Sequence, residues 1–122
     1  MQHTILVVDD SATIRQQTRT LLESKGYSVV EAADGAQGVE QVKNAPVHLI
    51  IVDVNMPVMN GIEMIDHVRK LPGHAKTPIF VLTTESSSDY VRRGKEVGAT
   101  AWIVKPFKPE VLLPAIRKVL SA

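Results

Sequence analysis

The sequence contains no cysteine. That excludes disulfide frameworks and thiolate metal sites, and it suits a reducing cytoplasm. Nor is there a surplus of either charge: fourteen Lys and Arg stand against thirteen Asp and Glu. A nucleic-acid binder needs a basic excess to meet the phosphate backbone, so no direct nucleic-acid partner is expected. Long apolar runs are missing too. The first, Ile5 to Val8, stops at Asp9 and Asp10, too short for a signal-peptide core or a membrane span. The four histidines (His3, His48, His67 and His74) form no ligand pair at a familiar spacing, so all four read as surface or packing residues. Repeats and low-complexity stretches are absent, and the one linker-like patch, Pro72 to Thr77, is too short to divide domains. At 122 residues, 44% of them apolar, the chain reads as one domain over residues 1–122 with a core of its own.

What the sequence does hold is a series of short β-branched runs: Ile5–Val8, Ser28–Val30, His48–Val52, Ile79–Leu82 and Ala101–Val104. Most are continuously apolar, the pattern of strands covered on both faces in a parallel sheet. Helical patterns lie between them. Ser11 caps a helix that runs to about Lys25, with Gly26 as its stop; Asp34 caps a second carrying Val39 and Val42. A third starts near Gly61 with Ile62, Ile65 and Val68 on one face. A fourth runs from Ser86–Ser88 to Gly98 with a thin stripe of Tyr90, Val91 and Val97. The last begins at Pro109 and carries Val111, Leu112, Ala115, Ile116 and Val119. Pro114 sits inside it and removes one backbone donor, a cost of roughly 3 kcal/mol in a regular interior, so a bend is expected there. Five alternations with right-handed crossovers predict an α/β domain: a doubly wound, five-stranded parallel sheet with helices on both faces.

Ligands of open parallel sheets bind outside the carboxyl ends of the strands. Asp9 and Asp10 follow the first run, Asp53 the third, Thr83 and Thr84 the fourth, Lys105 and Pro106 the fifth; Glu31 follows the second and carries nothing distinctive. Three carboxylates in one crevice repel by several kcal/mol per close pair, and one lysine does not offset that. A hard divalent cation with oxygen ligands does, and Mg²⁺ fits best. Thr83 and Lys105 can then hold a phosphoryl group beside a carboxylate nucleophile, the parts needed to form an aspartyl phosphate.

The segments Val8-Asp9-Asp10-Ser11, Val52-Asp53-Val54-Asn55-Met56-Pro57, Asn60-Gly61, Leu82-Thr83-Thr84, Gly98-Ala99 and Lys105-Pro106-Phe107 together resemble the receiver domains of two-component response regulators. Within that family the chain is most similar to stand-alone chemotaxis regulators of the CheY type. The resemblance implies a flavodoxin-like fold with strand order 2-1-3-4-5. It implies that Asp53 accepts a phosphoryl group from a histidine kinase, and that the chain is a signalling domain and not an enzyme acting on other substrates. Asp10, Asp53 and the backbone carbonyl of Asn55 would ligate Mg²⁺, with Asp9 acting through water. Thr83 and Lys105 would hold the phosphoryl oxygens, and Lys105-Pro106 would be a cis peptide. Thr83 and Trp102 would form the switch, although the family usually has tyrosine or phenylalanine in place of Trp102. Thr84 also replaces a smaller residue and crowds the site. Asn55 and Glu85 would set the rate of dephosphorylation. The output would be a protein target on the face of helix 4, strand 5 and helix 5, for instance a flagellar switch protein. From Ser86 onward that region holds Arg92, Arg93, Lys95, Lys105, Lys108, Arg117 and Lys118 against Asp89, Glu96 and Glu110, which favours an acidic, amphipathic partner.

Other readings stay open at this point. The chain can be a phosphorelay intermediate, or the receiver part of a transcriptional regulator. An aspartate-based phosphatase of the haloacid dehalogenase type uses similar residues, but its second aspartate is replaced here by Asn55, which cannot shuttle a proton. A flavodoxin-like FMN binder needs a hydroxyl- and glycine-rich loop after the first strand, where Asp9 and Asp10 would repel its phosphate.

Overall fold

A computed structural model describes residues 3–120; residues 1, 2, 121 and 122 of the expected domain lie outside the described part. The order is β1 (Thr4–Val8), α1 (Ala12–Ser24), β2 (Ser28–Ala32), α2 (Gly35–Asn44), β3 (Leu49–Val52), α3 (Gly61–Arg69), β4 (Ile79–Thr83), α4 (Ser88–Val97), β5 (Ala101–Val104) and α5 (Pro109–Leu120). The five strands form one parallel sheet in the order β2-β1-β3-β4-β5.

Strand alternation divides the core in two. Leu6, Val8, Ile50, Val52 and Val81 point toward α2 and α3, meeting Val39, Val42, Ile62, Met64, Ile65 and Val68. Ile5, Val7, Leu49, Ile51, Phe80 and Leu82 point the other way, onto Leu22 of α1 and Leu112, Ile116 and Leu120 of α5. Each fully buried aliphatic side chain adds about 1.5–3 kcal/mol relative to exposure, so the three inner strands anchor the molecule from both sides. The edges depart from the continuous-burial expectation. In β5, Ala101, Trp102 and Ile103 are only half-buried and Val104 is exposed, because α4 brings little apolar cover: Gly94 is its only buried residue.

The caps act locally. Ser11 and Asp34 accept from the backbone of Ile14 and Gln37. Asn60 and Glu63 form a reciprocal capping box on α3, satisfying two end donors at once. Gly98 ends α4 at φ 103°, a left-handed position that suits glycine. Helix α5 continues through Pro114, which faces solvent; water can take the Glu110 carbonyl that loses its donor. The expected apolar face of α5 needs correction: Leu112 and Ile116 are buried, as is Leu120, whereas Val111 is 52% exposed. Steps of four residues keep 112, 116 and 120 on the sheet side, and Val111 is turned out. Among the described residues, no helix is long and apolar enough to cross a membrane.

Candidate functional site

The register decides what meets at the carboxyl edge. Val8 pairs with both Ala32 and Val52, Val52 with Val81, and Thr83 with Val104. The residues that follow are tied to the neighbouring strand: Asp53 N–H donates to the Val8 carbonyl at 3.0 Å, and Lys105 N–H to the Thr83 carbonyl at 2.8 Å. Asp9 and Asp53 therefore stand side by side and Lys105 reaches over from β5. Its ammonium donates to Asp9 Oδ2 at 2.7 Å and to Asp53 Oδ2 at 2.8 Å.

Asp9 and Asp53 are buried while Asp10 is exposed, and one oxygen from each of the three lies within 4.8 Å of the others. Three carboxylates thus face one ammonium. Burial is the largest influence on Lys105 and pulls its pKa down, but the bonds to Asp53 and Asp9, with their charges, outweigh it and the net shift is upward. The lysine stays charged. The excess negative charge and the oxygen-only donor set fit a hard divalent cation. Asp9 has a further engagement, since its Oδ1 accepts the Ser11 N–H at 2.9 Å. Asp10 is the carboxylate open to solvent. Gly61 is required here, because a methyl group on it would run into the Asp53 carbonyl; α3 starts directly behind Asp53.

Thr83 is the last residue of β4 and is fully buried, whereas Thr84 is exposed. The Thr83 hydroxyl accepts the Glu85 N–H at 3.2 Å, and the Glu85 carbonyl accepts the Trp102 indole N–H at 2.9 Å. One residue, Glu85, therefore joins Thr83 to Trp102 through its N–H and its carbonyl, a link that residue types alone did not disclose. The Trp102 ring lies against α4, where a methyl on Gly94 would come within 2.7 Å of it. Asn55 is exposed, and its N–H donates to Asp53 Oδ1 at 3.4 Å. The Lys105-Pro106 peptide is cis. Beside the crevice, Ile14, Gln17, Thr84, Lys105, Pro106, Phe107 and Pro109 line an open groove of about 570 Å³ between α1 and the start of α5.

Two expectations change. Lys105 does not belong to the outer basic surface, since it is held inside the crevice. Arg92 is paired with Asp89 and Glu96. Glu31, read as undistinguished, lies within β2 and receives both Arg15 and Arg19 from α1. The Arg15 guanidinium also donates to the Asp9 carbonyl at 2.7 Å, so this network braces the loop that carries the two acids. A helix arginine and a strand glutamate sixteen residues apart carry no local signal of their pairing.

Comparison with known proteins gives a consistent picture. The response regulator receiver domain family matches residues 5–117. The chain is 38% identical over 119 residues to the chemotaxis protein CheY1 of Helicobacter pylori, covering 96% of each. It is equally 38% identical over 118 residues to the transcriptional regulatory protein PdtaR of Mycobacterium tuberculosis, but spans only 56% of that protein's length. Among solved structures, the chemotaxis protein CheY4 of Vibrio cholerae is 46% identical with a TM-score of 0.93, covering 98% of this chain and all of the other.

Proposed function

The chain belongs to the response regulator receiver domain family, and from that premise we propose that residues 1–122 act as one cytoplasmic signalling unit switched by phosphorylation of Asp53. The observation that carries this is the buried Asp53 carboxylate, held at 2.8 Å from Lys105 with Asp9 and Asp10 beside it and Thr83 buried at the end of the neighbouring strand β4. An Asp53 oxygen attacks the phosphorus of a phosphohistidine on a kinase. The P–N bond breaks, and the imidazole leaves with the electron pair and takes up a proton. The lysine ammonium and the Thr83 hydroxyl, once it releases Glu85, meet the phosphoryl oxygens. Asp10, Asp53 and the Asn55 carbonyl, with Asp9 through water, would hold Mg²⁺, which would supply positive charge against the transferred group. The apolar groove of Ile14, Pro106 and Phe107 supports a kinase docking beside Lys105.

Output follows from the backbone of Glu85. Drawing Thr83 toward the phosphoryl group removes its bond to the Glu85 N–H, and the Glu85 carbonyl carries the change to Trp102 and α4. Asn55 and Glu85 flank the line of hydrolytic attack and set how long the signal lasts. The target is a protein that binds the α4–β5–α5 face, in chemotaxis a component of the flagellar switch. The full-length likeness to CheY1 and CheY4 supports that output. The likeness to PdtaR supports a second one, the receiver part of a transcriptional regulator.

The test is chemical. With Mg²⁺ and acetyl phosphate the chain should gain one base-labile phosphoryl group by mass spectrometry. Asp53→Asn should gain none, and excess chelator should stop labelling of the unchanged chain. Labelling of Asp53→Asn at another residue would refute the assignment.

A further inference from the structure

Arg15, on α1, reaches across to the loop that follows β1. Its Nη1 donates to the Asp9 carbonyl at 2.7 Å and its Nε to Glu31 Oε1 at 2.9 Å. Arg19, one turn further along α1, donates to the other Glu31 oxygen at 2.5 Å, so Glu31 is held from both sides and gives Arg15 a fixed seat. A planar guanidinium makes two such bonds at once, whereas a lysine ammonium does not match the fork. Asp9 Oδ1 in turn accepts the Ser11 N–H at 2.9 Å. A peptide unit is planar, so a bond to one of its atoms constrains the whole unit. Arg15 grips the peptide between Asp9 and Asp10, and the Asp9 side chain grips the peptide between Asp10 and Ser11. Both peptides that flank Asp10 are thus held, and with them the direction of its Cα–Cβ bond. The Asp10 carboxylate itself is exposed and, among the described residues, makes no hydrogen bond or ion pair.

A fixed backbone under a free carboxylate suits a cation ligand, and the cation preferred depends on how firmly the ligand is fixed. Mg²⁺ demands near-ideal octahedral geometry at about 2.0–2.1 Å, whereas Ca²⁺ accepts a looser, larger shell at about 2.3–2.6 Å. Lys105 already holds the side chains of Asp9 and Asp53, so Asp10 is the member of the acid cluster whose place depends on the loop. Glu31 matches the charge of Arg15, and the brace therefore grips the loop without setting an unpaired cation beside it. We propose that Arg15 is a positioning residue for the divalent cation: by fixing the peptide that leads into Asp10, it holds that carboxylate at the reach of Mg²⁺ and discriminates against the larger Ca²⁺. The inference rests on the reading of Asp9, Asp10 and Asp53 as the carboxylates of the metal, and adds to it what sets the choice of ion.

Three chains test it: unchanged, Arg15→Met and Arg19→Met. Each variant loses one positive charge and one bond to Glu31 and keeps an unbranched stem, but only Arg15→Met frees the Asp9 carbonyl. Amide chemical shifts are followed by NMR as MgCl₂ or CaCl₂ is added, and Tm is measured without either. The lost charge acts alike on two dications and cancels in the ratio of their Kd values. In Arg15→Met the preference for Mg²⁺ over Ca²⁺ should fall about tenfold, the scale expected when an outer partner of a metal ligand is removed. Arg19→Met should lower Tm and keep the preference. An undiminished preference in Arg15→Met overturns the positioning role. So does an equal fall in Arg19→Met, because selectivity would then follow stability, and so do equal Kd values for the two ions in the unchanged chain. Arg15→Lys keeps the charge but not the fork; it should show the same fall, and it stands in where Arg15→Met does not fold. An unchanged chain that binds neither cation removes the metal reading itself, and the inference falls with it.

Discussion

Glu31 shows how a residue outside the crevice bears on it. Its carboxylate is held below the ordinary range, first by the bond from Arg19 against some desolvation, then by Arg15. A folded pKa below the unfolded one means that its stabilisation is present above about pH 4.5 and is lost as pH falls through the lowered folded value. Glu31→Gln should therefore cost about 1 kcal/mol at pH 7, where the partly exposed pair is intact, and nothing below the folded pKa. Urea unfolding at pH 7 and at pH 3 checks this, and an equal loss at both would mean that packing, not charge, holds the pair. Arg15 joins the same network to the Asp9 carbonyl, so brace and acid pair are one unit. The acids themselves were legible in the sequence because each follows an apolar strand and the strands share a direction. The brace was not, since it depends on which helix lies over β2, a matter of tertiary packing and not of residue type.

At the scale of elements, helix ends were the easiest to read. Ser11, Asp34 and Gly98 each act at the position their chemistry suggests. Side-chain direction was harder. Val111 and Leu112 are neighbours of equal hydropathic promise, and only the seat of α5 on the sheet decides that Leu112 is buried. The pairing of α4 with β5 was hidden for a related reason. A glycine inside a helix lowers its propensity by about 1 kcal/mol relative to alanine, and without the Trp102 ring beside it Gly94 has no rationale. Gly94→Ala restores that propensity but sets a methyl 2.7 Å from the ring, where overpacking costs about 1–3 kcal/mol. The strain is best relieved by turning the indole outward, which breaks its bond to the Glu85 carbonyl. Gly94→Ala should then show red-shifted Trp102 fluorescence and, with the Thr83–Glu85–Trp102 link cut, a smaller response to beryllofluoride. A variant with an unshifted spectrum and a Tm above that of the unchanged chain would mean that ring and helix part without consequence.

Over the whole molecule, the site and the proposed output occupy different regions. The carboxyl edge of the sheet holds all the acids of the crevice, and Lys105 is committed to them. The face formed by α4, β5 and α5 instead exposes Val104 on β5 and Val111 on α5, with Lys108, Pro114 and Lys118 also exposed. Residues 111, 114 and 118 fall on one side of the helix, an apolar stripe ending in a cation. Such a surface suits an amphipathic peptide with acidic flanks, and its charges govern encounter more than final affinity. On the proposed reading, the link through Glu85 would let a phosphoryl group at one region change the fit at the other without touching it. A shift of about 1.4 kcal/mol between states makes a tenfold change in affinity, which is ample for a switch. With Mg²⁺ and beryllofluoride, peptides from candidate flagellar switch proteins should bind the chain about tenfold or more tighter than without. Added salt should slow association more than dissociation, and Val111→Asp should weaken binding while leaving Asp53 labelling unchanged. Equal affinity in both states would detach this face from the switch. The groove beside Lys105, proposed for a phosphohistidine protein, would then remain as the contact surface, as a relay intermediate requires.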